Sequence, residues 1–198
     1  MASGPTGQDV GPSPAGDVRH WRSGNQSAHG EYDNPANEIG GDTPVNDIAP
    51  LSLATHPFLH GMREDHLAVL APAAAEVTLP ARYRLFEDGG NARRFWLIES
   101  GRVALDLQIP GEGPAVIEHV GMGELLGWSW LFPPHQWTFG AVAVTPVKAF
   151  EFDAVEVRAR CTSDPELGYA LTHRIAQVLA HRLRTTRIRL LRECHTAE

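Results

Sequence analysis

Apolar and polar positions change rhythm three times along this chain of 198 residues. Residues 1–50 are rich in Gly, Pro, Ser, Asn and Asp, and show almost no large aliphatic residue before Ile48. Such a stretch cannot bury enough apolar surface to offset the entropy of ordering, so a disordered acidic tail is expected there. Within Arg63–Ala71, Leu67 and Leu70 fall at helical spacing and predict a short amphipathic helix. After Pro72 the period becomes two. Val77 and Leu79 alternate with polar neighbours, as do the residues of Val147–Phe152. Val103, Leu105, Leu107 and Ile109 alternate with Arg102, Ala104, Asp106 and Gln108, which predicts a half-buried strand with one wet face. Asp88-Gly89-Gly90-Asn91 and the Pro110–Pro114 segment cut these runs cleanly. Short strands at close spacing, punctuated by Gly and Pro, indicate a jelly-roll type of sandwich or barrel over residues 51–163.

From Asp164-Pro165 the period is helical, and an acid before Pro at the first helical position is a start signal. Leu167, Leu171, Ile175, Val178, Leu179, Leu183, Leu190 and Leu191 form one apolar face over roughly seven turns. A small barrel cannot cover so long a face. Residues 164–198 are therefore predicted to form a terminal helix that pairs with a second copy through residues 170–192.

One stretch follows neither rhythm: Gly121 to Ala143. A β-like run (Ala115–Val120) enters it and another (Trp137–Val144) leaves it. Between them stand Gly123-Glu124 and an apolar segment predicted to make one or two helical turns. Helix N-termini present unpaired N–H donors and partial positive charge, which suits an anionic ligand. Strand, glycine, acid, short helix, strand is thus a way to aim backbone N–H groups and the Glu124 carboxylate at a small anionic ligand. Trp128, Trp130, Phe132, Trp137 and Phe139 make the region unusually aromatic. These rings either fill the roll or line a pocket for a flatter, more apolar ligand.

Charge adds a constraint. The net charge of −7 argues against nonspecific binding of the whole chain to nucleic acid or anionic membrane. Residues 1–50 carry net −5, whereas residues 167–198 carry net +4, so the arginines at 182, 184, 187, 189 and 192 read as a charge-laced helix face. Cys161 and Cys194 are too few for a disulfide framework, and no metal-ligand spacing surrounds them. His119 and His135 lack a partner at H-x-H spacing, and no nucleophile or nucleotide-loop motif occurs, so neither an enzyme nor a metal site is expected. No apolar run of membrane-spanning length or signal-peptide pattern occurs, which predicts a soluble, cytoplasmic protein.

His56-Pro57-Phe58-Leu59, the Phe95–Val103 segment F-W-L-I-E-S-G-R-V, the G-x-G-E at 121–124 and the F-E-F at 150–152 ahead of a long helix together resemble the cyclic nucleotide-binding domain of the Crp/Fnr regulator superfamily. The resemblance spans about residues 55–194. It implies an eight-stranded β-roll (a double-stranded β-helix) capped by helices, with cAMP or cGMP held against a phosphate-binding cassette. In that cassette a Gly-Glu pair starts a short helix, the Glu (here Glu124) accepts from the ribose hydroxyl, and a following Arg neutralises the phosphate. The resemblance thus implies Gly123, Glu124 and the amides of Leu125 and Leu126 as ligand contacts, with Gln136, Trp137 and Thr138 as the opposite wall. The corresponding segment here is Pro134-His135-Gln136-Trp137-Thr138-Phe139-Gly140-Ala141, with Gln136 or Trp137 where the family has its Arg. Neither is a cation, and a charge-assisted bond to phosphate is roughly twice as strong as a neutral one.

The expected function is a regulatory small-molecule sensor, with a cyclic nucleotide as the ligand class the resemblance implies and no other cofactor called for. One alternative is a ligand-free interaction or scaffold module whose roll is plugged by Trp128 or Trp137. Another is a regulator acting through a DNA-binding partner. Only six residues follow Arg192, too few for a helix-turn-helix, so direct DNA reading is not expected.

Overall fold

A computed structural model describes residues 48–196; the predicted tail, but for its last three residues, lies outside them. Two short helices, α1 (Pro50–Ala54) and α2 (Glu64–Leu70), lead in. Leu67 and Leu70 of α2 are buried, as their spacing predicts.

Eight strands follow, β1 (Ala74–Leu79), β2 (Arg84–Phe86), β3 (Arg94–Ser100), β4 (Arg102–Ile109), β5 (Gly113–Gly121), β6 (Leu125–Leu126), β7 (Gly140–Ala143) and β8 (Val147–Asp153). They form two four-stranded antiparallel sheets, ordered β1-β8-β3-β6 and β2-β7-β4-β5. The β-roll with flanking helices expected from the sequence is the fold of the chain.

Its core is aromatic. Phe95 is stacked between Trp130 and Phe152, with ring centroids 4.8 and 4.7 Å away. Such contacts add about 0.5–1.5 kcal/mol each beyond area burial.

β4 departs from its predicted alternation. Val103, Ala104, Leu105 and Asp106 are all buried, whereas Leu107 and Ile109 are exposed. The strand lies inside its sheet, between β7 and β5, and its register with β5 shifts between Leu105 and Asp106. Asp106, placed on a wet face by its sequence neighbours, is only 4% exposed. It survives burial because both its oxygens accept from the Arg84 guanidinium, one of them at 2.8 Å. Burial works to lower the Arg84 pKa, but the bonds to Asp106 and Glu87 outweigh it and hold the group above its ordinary value. This pair fills the space beside Gly140, where a Cβ would lie 2.0 Å from an Arg84 nitrogen.

Residues 51–163 also contain more than a roll, because the last ten form a helix, α3 (Ala154–Ser163). Asp153 caps it by accepting from the amides of Val155 and Glu156. Helix α4 (Pro165–Thr196) then begins where predicted, and Asp164 accepts from the amides of Glu166 and Leu167. Its apolar face is uneven. Leu167, Leu171 and Ile175 are 0–1% exposed, Val178 and Leu179 are partly buried, and Leu183 and Leu190 are 53% and 55% exposed.

Candidate functional site

Chain geometry around Gly123 decides what the central stretch can do. The amide of Gly123 donates to the carbonyl of Ile98 at 2.7 Å, and the amide of Ile98 donates to the carbonyl of Glu124 at 3.0 Å. These two bonds seat the turn against β3, and Leu125 and Leu126 continue as a strand paired with Leu97 and Trp96. Gly123-Glu124 therefore does not open a helix, contrary to expectation, and the amides of Leu125 and Leu126 are not at a helix N-terminus. Two consecutive buried leucines facing a complementary strand edge satisfy their backbone better in the sheet than in an isolated turn. The helical piece comes later and is short, a 3-10 turn at Trp128–Leu131.

Glu124 is exposed, and its carboxylate accepts from the Gly121 amide at 2.6 Å, closing its own turn. Behind that turn sits the lead-in: Pro57 lies within 3.1 Å of where a Gly123 Cβ would be. His56 bonds the Ile98 carbonyl through Nε2 at 3.1 Å, and its Nδ1 accepts from the Phe58 amide at 3.2 Å. Burial holds the His56 pKa below its ordinary value, partly opposed by the bond to Ile98.

The concavity of this region lies a few residues further on. Phe86, Leu105, Gly127, Trp128, Ser129, Trp137, Thr138, Phe139 and Arg182 line a half-open cleft. Its cavity volume is ≈ 20 Å³, room for about one water molecule. Trp137 is what fills the rest. Its ring stacks on Phe86 at a centroid distance of 3.9 Å and lies 6.1 Å from Trp96. Gly127 permits this, since its φ of 85° and the 2.8 Å approach of the indole to a would-be Cβ both exclude a side chain. The aromatic residues thus divide. Trp130 is core, Trp137 is buried yet walls the cleft together with Trp128 and Phe139, and Phe132 is exposed.

Of the residues singled out in the sequence, Trp137 and Thr138 lie in the cleft wall. Gln136 is exposed and bridged to Asn91, while Gly123, Glu124, Leu125 and Leu126 are not in the lining. Leu125 still contributes indirectly, because its carbonyl accepts from Arg182 Nη2 at 2.7 Å. Arg182 is the functional candidate that sequence reading assigned to a solvent or intersubunit face. It comes from α4, its side chain is 11% exposed, and its Nε lies 3.5 Å from a Glu118 oxygen without forming a hydrogen bond. A signal for it existed: position 182 extends the buried face of Leu171, Ile175 and Val178 by one further turn. Among the described residues no group of three or more His, Cys, Asp or Glu can hold a metal ion, and no helix is long and apolar enough to cross a membrane.

Residues 76–164 match the profile of the cyclic nucleotide-binding domain family. The CRP-like cAMP-activated global transcriptional regulator of Mycobacterium tuberculosis is 26% identical over 134 residues, which are 68% of this chain and 58% of that protein. The chain thus spans less than two thirds of the length of that relative. A putative cyclic nucleotide-binding protein from Geobacter metallireducens shares the fold with a TM-score of 0.63 at 24% identity, over 69% of this chain and 98% of that one. The N-terminal domain of a transcriptional regulator from Streptomyces coelicolor aligns with a TM-score of 0.53 at 28% identity, over 68% of this chain and 93% of that one. Residues 76–164 are thus similar to cyclic nucleotide-binding domains, and CRP-like regulators are among the similar proteins.

Proposed function

We propose that this domain is a regulatory module that senses a small molecule in the cleft and passes the change to α4, which pairs with α4 of a second copy. One observation carries the reading. The cleft is walled jointly by the segment after β6 (Gly127–Ser129), the segment before β7 (Trp137–Phe139) and α4 through Arg182. Widening the cleft displaces at least one of these walls, and Arg182 ties the helix to the β6 carbonyl behind them. Trp137 must leave Phe86 to admit a ligand larger than water. Trp137 and Thr138 then touch the ligand, with Gln136 at the rim, and the Gly123–Leu126 turn shapes the floor from behind. The ligand class to try first is the one in the relative's name, a cyclic nucleotide.

A thermal melt with cAMP and with cGMP tests this. A ligand present at 100 times its Kd stabilises the native state by about 2.7 kcal/mol. For a chain of this size that is a rise of roughly 5–10 °C in Tm. Glu124→Ala, which removes the bond to the Gly121 amide, should reduce the rise. The Phe86–Trp137 stack favours a second reading, a ligand-free interaction module that keeps the roll for its shape. Under that reading no cyclic nucleotide moves the Tm of the wild type.

A further inference from the structure

We infer that Arg182 is the cation of the cleft: the ligand it selects joins a flat ring to an oxyanion, and that oxyanion takes the guanidinium from Leu125 and Glu118 and unfastens the distal part of α4. This inference rests on the sensing role proposed above and adds the ligand's chemistry and its mechanical consequence.

The residues around the cleft supply complementary groups. Trp128, Trp137 and Phe139 offer ring faces, Ser129 and Thr138 offer hydroxyls, and Arg182 is the one cation of the lining. The segment before β7 supplies none, since Gln136 and Trp137 stand there. Arg182 is also incompletely used. A guanidinium carries five N–H donors in a planar fork, made for carboxylate and phosphate. Here one nitrogen donates to a neutral carbonyl, and Nε is buried with no hydrogen-bond partner. Glu118 lies close enough to offset charge but forms no hydrogen bond to Nε. The bond to Leu125 is charge-assisted only through its donor, whereas an oxyanion adds a full opposite charge and can take two parallel N–H bonds from the planar fork, so in the cleft it displaces Leu125 from the guanidinium.

The consequence follows from where Arg182 sits along the helix. One helical heptad on, Arg189 Nη1 donates to the Ile117 carbonyl at 3.3 Å, the long end of the range for such a bond. The guanidinium at 182 is thus the stronger of these two contacts between the distal helix and the roll. Moving it toward a ligand removes the stronger of the two and loosens the segment beyond.

The test uses the full chain and three probes: cAMP, indole-3-acetate as a ring bearing a carboxylate, and adenosine as a ring without an anion. Binding is read by tryptophan fluorescence, and helix release by amide hydrogen exchange over residues 182–192. At least one anionic probe should bind and raise exchange there about tenfold, while adenosine does neither; which anion binds separates a phosphate from a carboxylate ligand. Arg182→Gln should weaken that binding at least tenfold, and Arg187→Gln, at an exposed position outside the cleft lining, should leave it unchanged. Glu118→Gln removes the competing carboxylate from a half-buried surface position and should tighten binding severalfold, which keeps the test decisive if Arg182→Gln folds poorly. An anion that binds wild type and Arg182→Gln equally, or adenosine binding as tightly as cAMP, overturns the inference and leaves the sensing role standing. If none of the probes binds the wild type, the inference is overturned, and a flat melt with both cyclic nucleotides removes the sensing role with it.

Discussion

The two ends of α4 meet the β-roll by different chemistry. From Pro165 to Leu179 the helix is packed by apolar side chains, with Leu167, Leu171 and Ile175 all but inaccessible. Beyond Leu179 the same helical face presents Arg182 and Arg189, which reach backbone carbonyls of β6 and β5. Full burial of a Leu or Ile side chain is worth about 1.5–3 kcal/mol, and it is lost only by exposing the whole side chain. A hydrogen bond from a charged group to a carbonyl nets about 1.5–3 kcal/mol at best, and a competing acceptor can take it over. The proximal end is therefore fixed to the roll, whereas the distal end is fastened exchangeably. In the sensing role proposed above, that division lets one helix both belong to the fold and report on it.

The largest expected effect tests the fixed end. Ile175→Ala deletes atoms from a fully enclosed position and should cost about 2–5 kcal/mol in urea unfolding. Leu183→Ala, two turns further on, should fall within about 0.5 kcal/mol under conditions that keep the chain monomeric. Equal costs at the two positions would remove the distinction between the two ends.

How much of this was readable from the sequence depends on how local the cause is. Helix α2, the strands with simple alternation and the start of α4 at Asp164-Pro165 follow from spacing and caps within a few residues. Asp153 three residues ahead of Glu156 also signals the start of α3, but the alternating run of β8 merges into it and masks the change of period. Burial of Asp106 was not readable, because it depends on Arg84 from another strand and on a shifted register. The cleft shows the same limit. Gly123-Glu124 marks the right neighbourhood, yet β6 forms because Trp96 and Leu97 offer an edge to pair with, and nothing between residues 121 and 126 encodes that. Trp137 filling the roll stood in the sequence only as one of two alternatives, decided by Phe86 and Gly127, whereas Arg182 left a partial signal in its helical spacing after Leu171, Ile175 and Val178.

A smaller effect sharpens the comparison at the lead-in. Arg174, on the fixed end of α4, donates to the Phe58 carbonyl at 2.9 Å, and Phe58 is held in turn by His56. In this arrangement neutral His56 donates from Nε2 and accepts at Nδ1, and protonation removes the acceptor. Burial lowers its folded-state pKa below the ordinary value of 6.5. The unfolded chain therefore binds the proton first. The contribution is fully present above pH 6.5 and is lost as pH falls toward the folded-state pKa. Unfolding free energy should decline over that acidic window in wild type, and His56→Gln, which keeps an amide donor for Ile98, should flatten this part of the profile. A slope unchanged by the substitution would assign the decline to other groups.

The smallest effect on folding is expected where the largest effect on assembly should be. Leu183 and Leu190 each follow by one residue the arginines that touch the roll, so they stand about 100° around the helix from the 182–189 face. They are two turns apart, share one face and are more than half exposed. In the proposed dimer this face meets its counterpart. Replacing both by Gln keeps helix propensity close to that of Leu, so the monomer's unfolding free energy should change little while self-association weakens, measured by sedimentation velocity across a dilution series. Because the two faces are adjacent on one helix, a rotation that frees Arg182 also turns Leu183 and Leu190. An anionic ligand should consequently shift the wild-type association constant and leave that of the doubly substituted chain unmoved. Association that is equally strong in both chains would place the pairing surface elsewhere and uncouple it from the cleft.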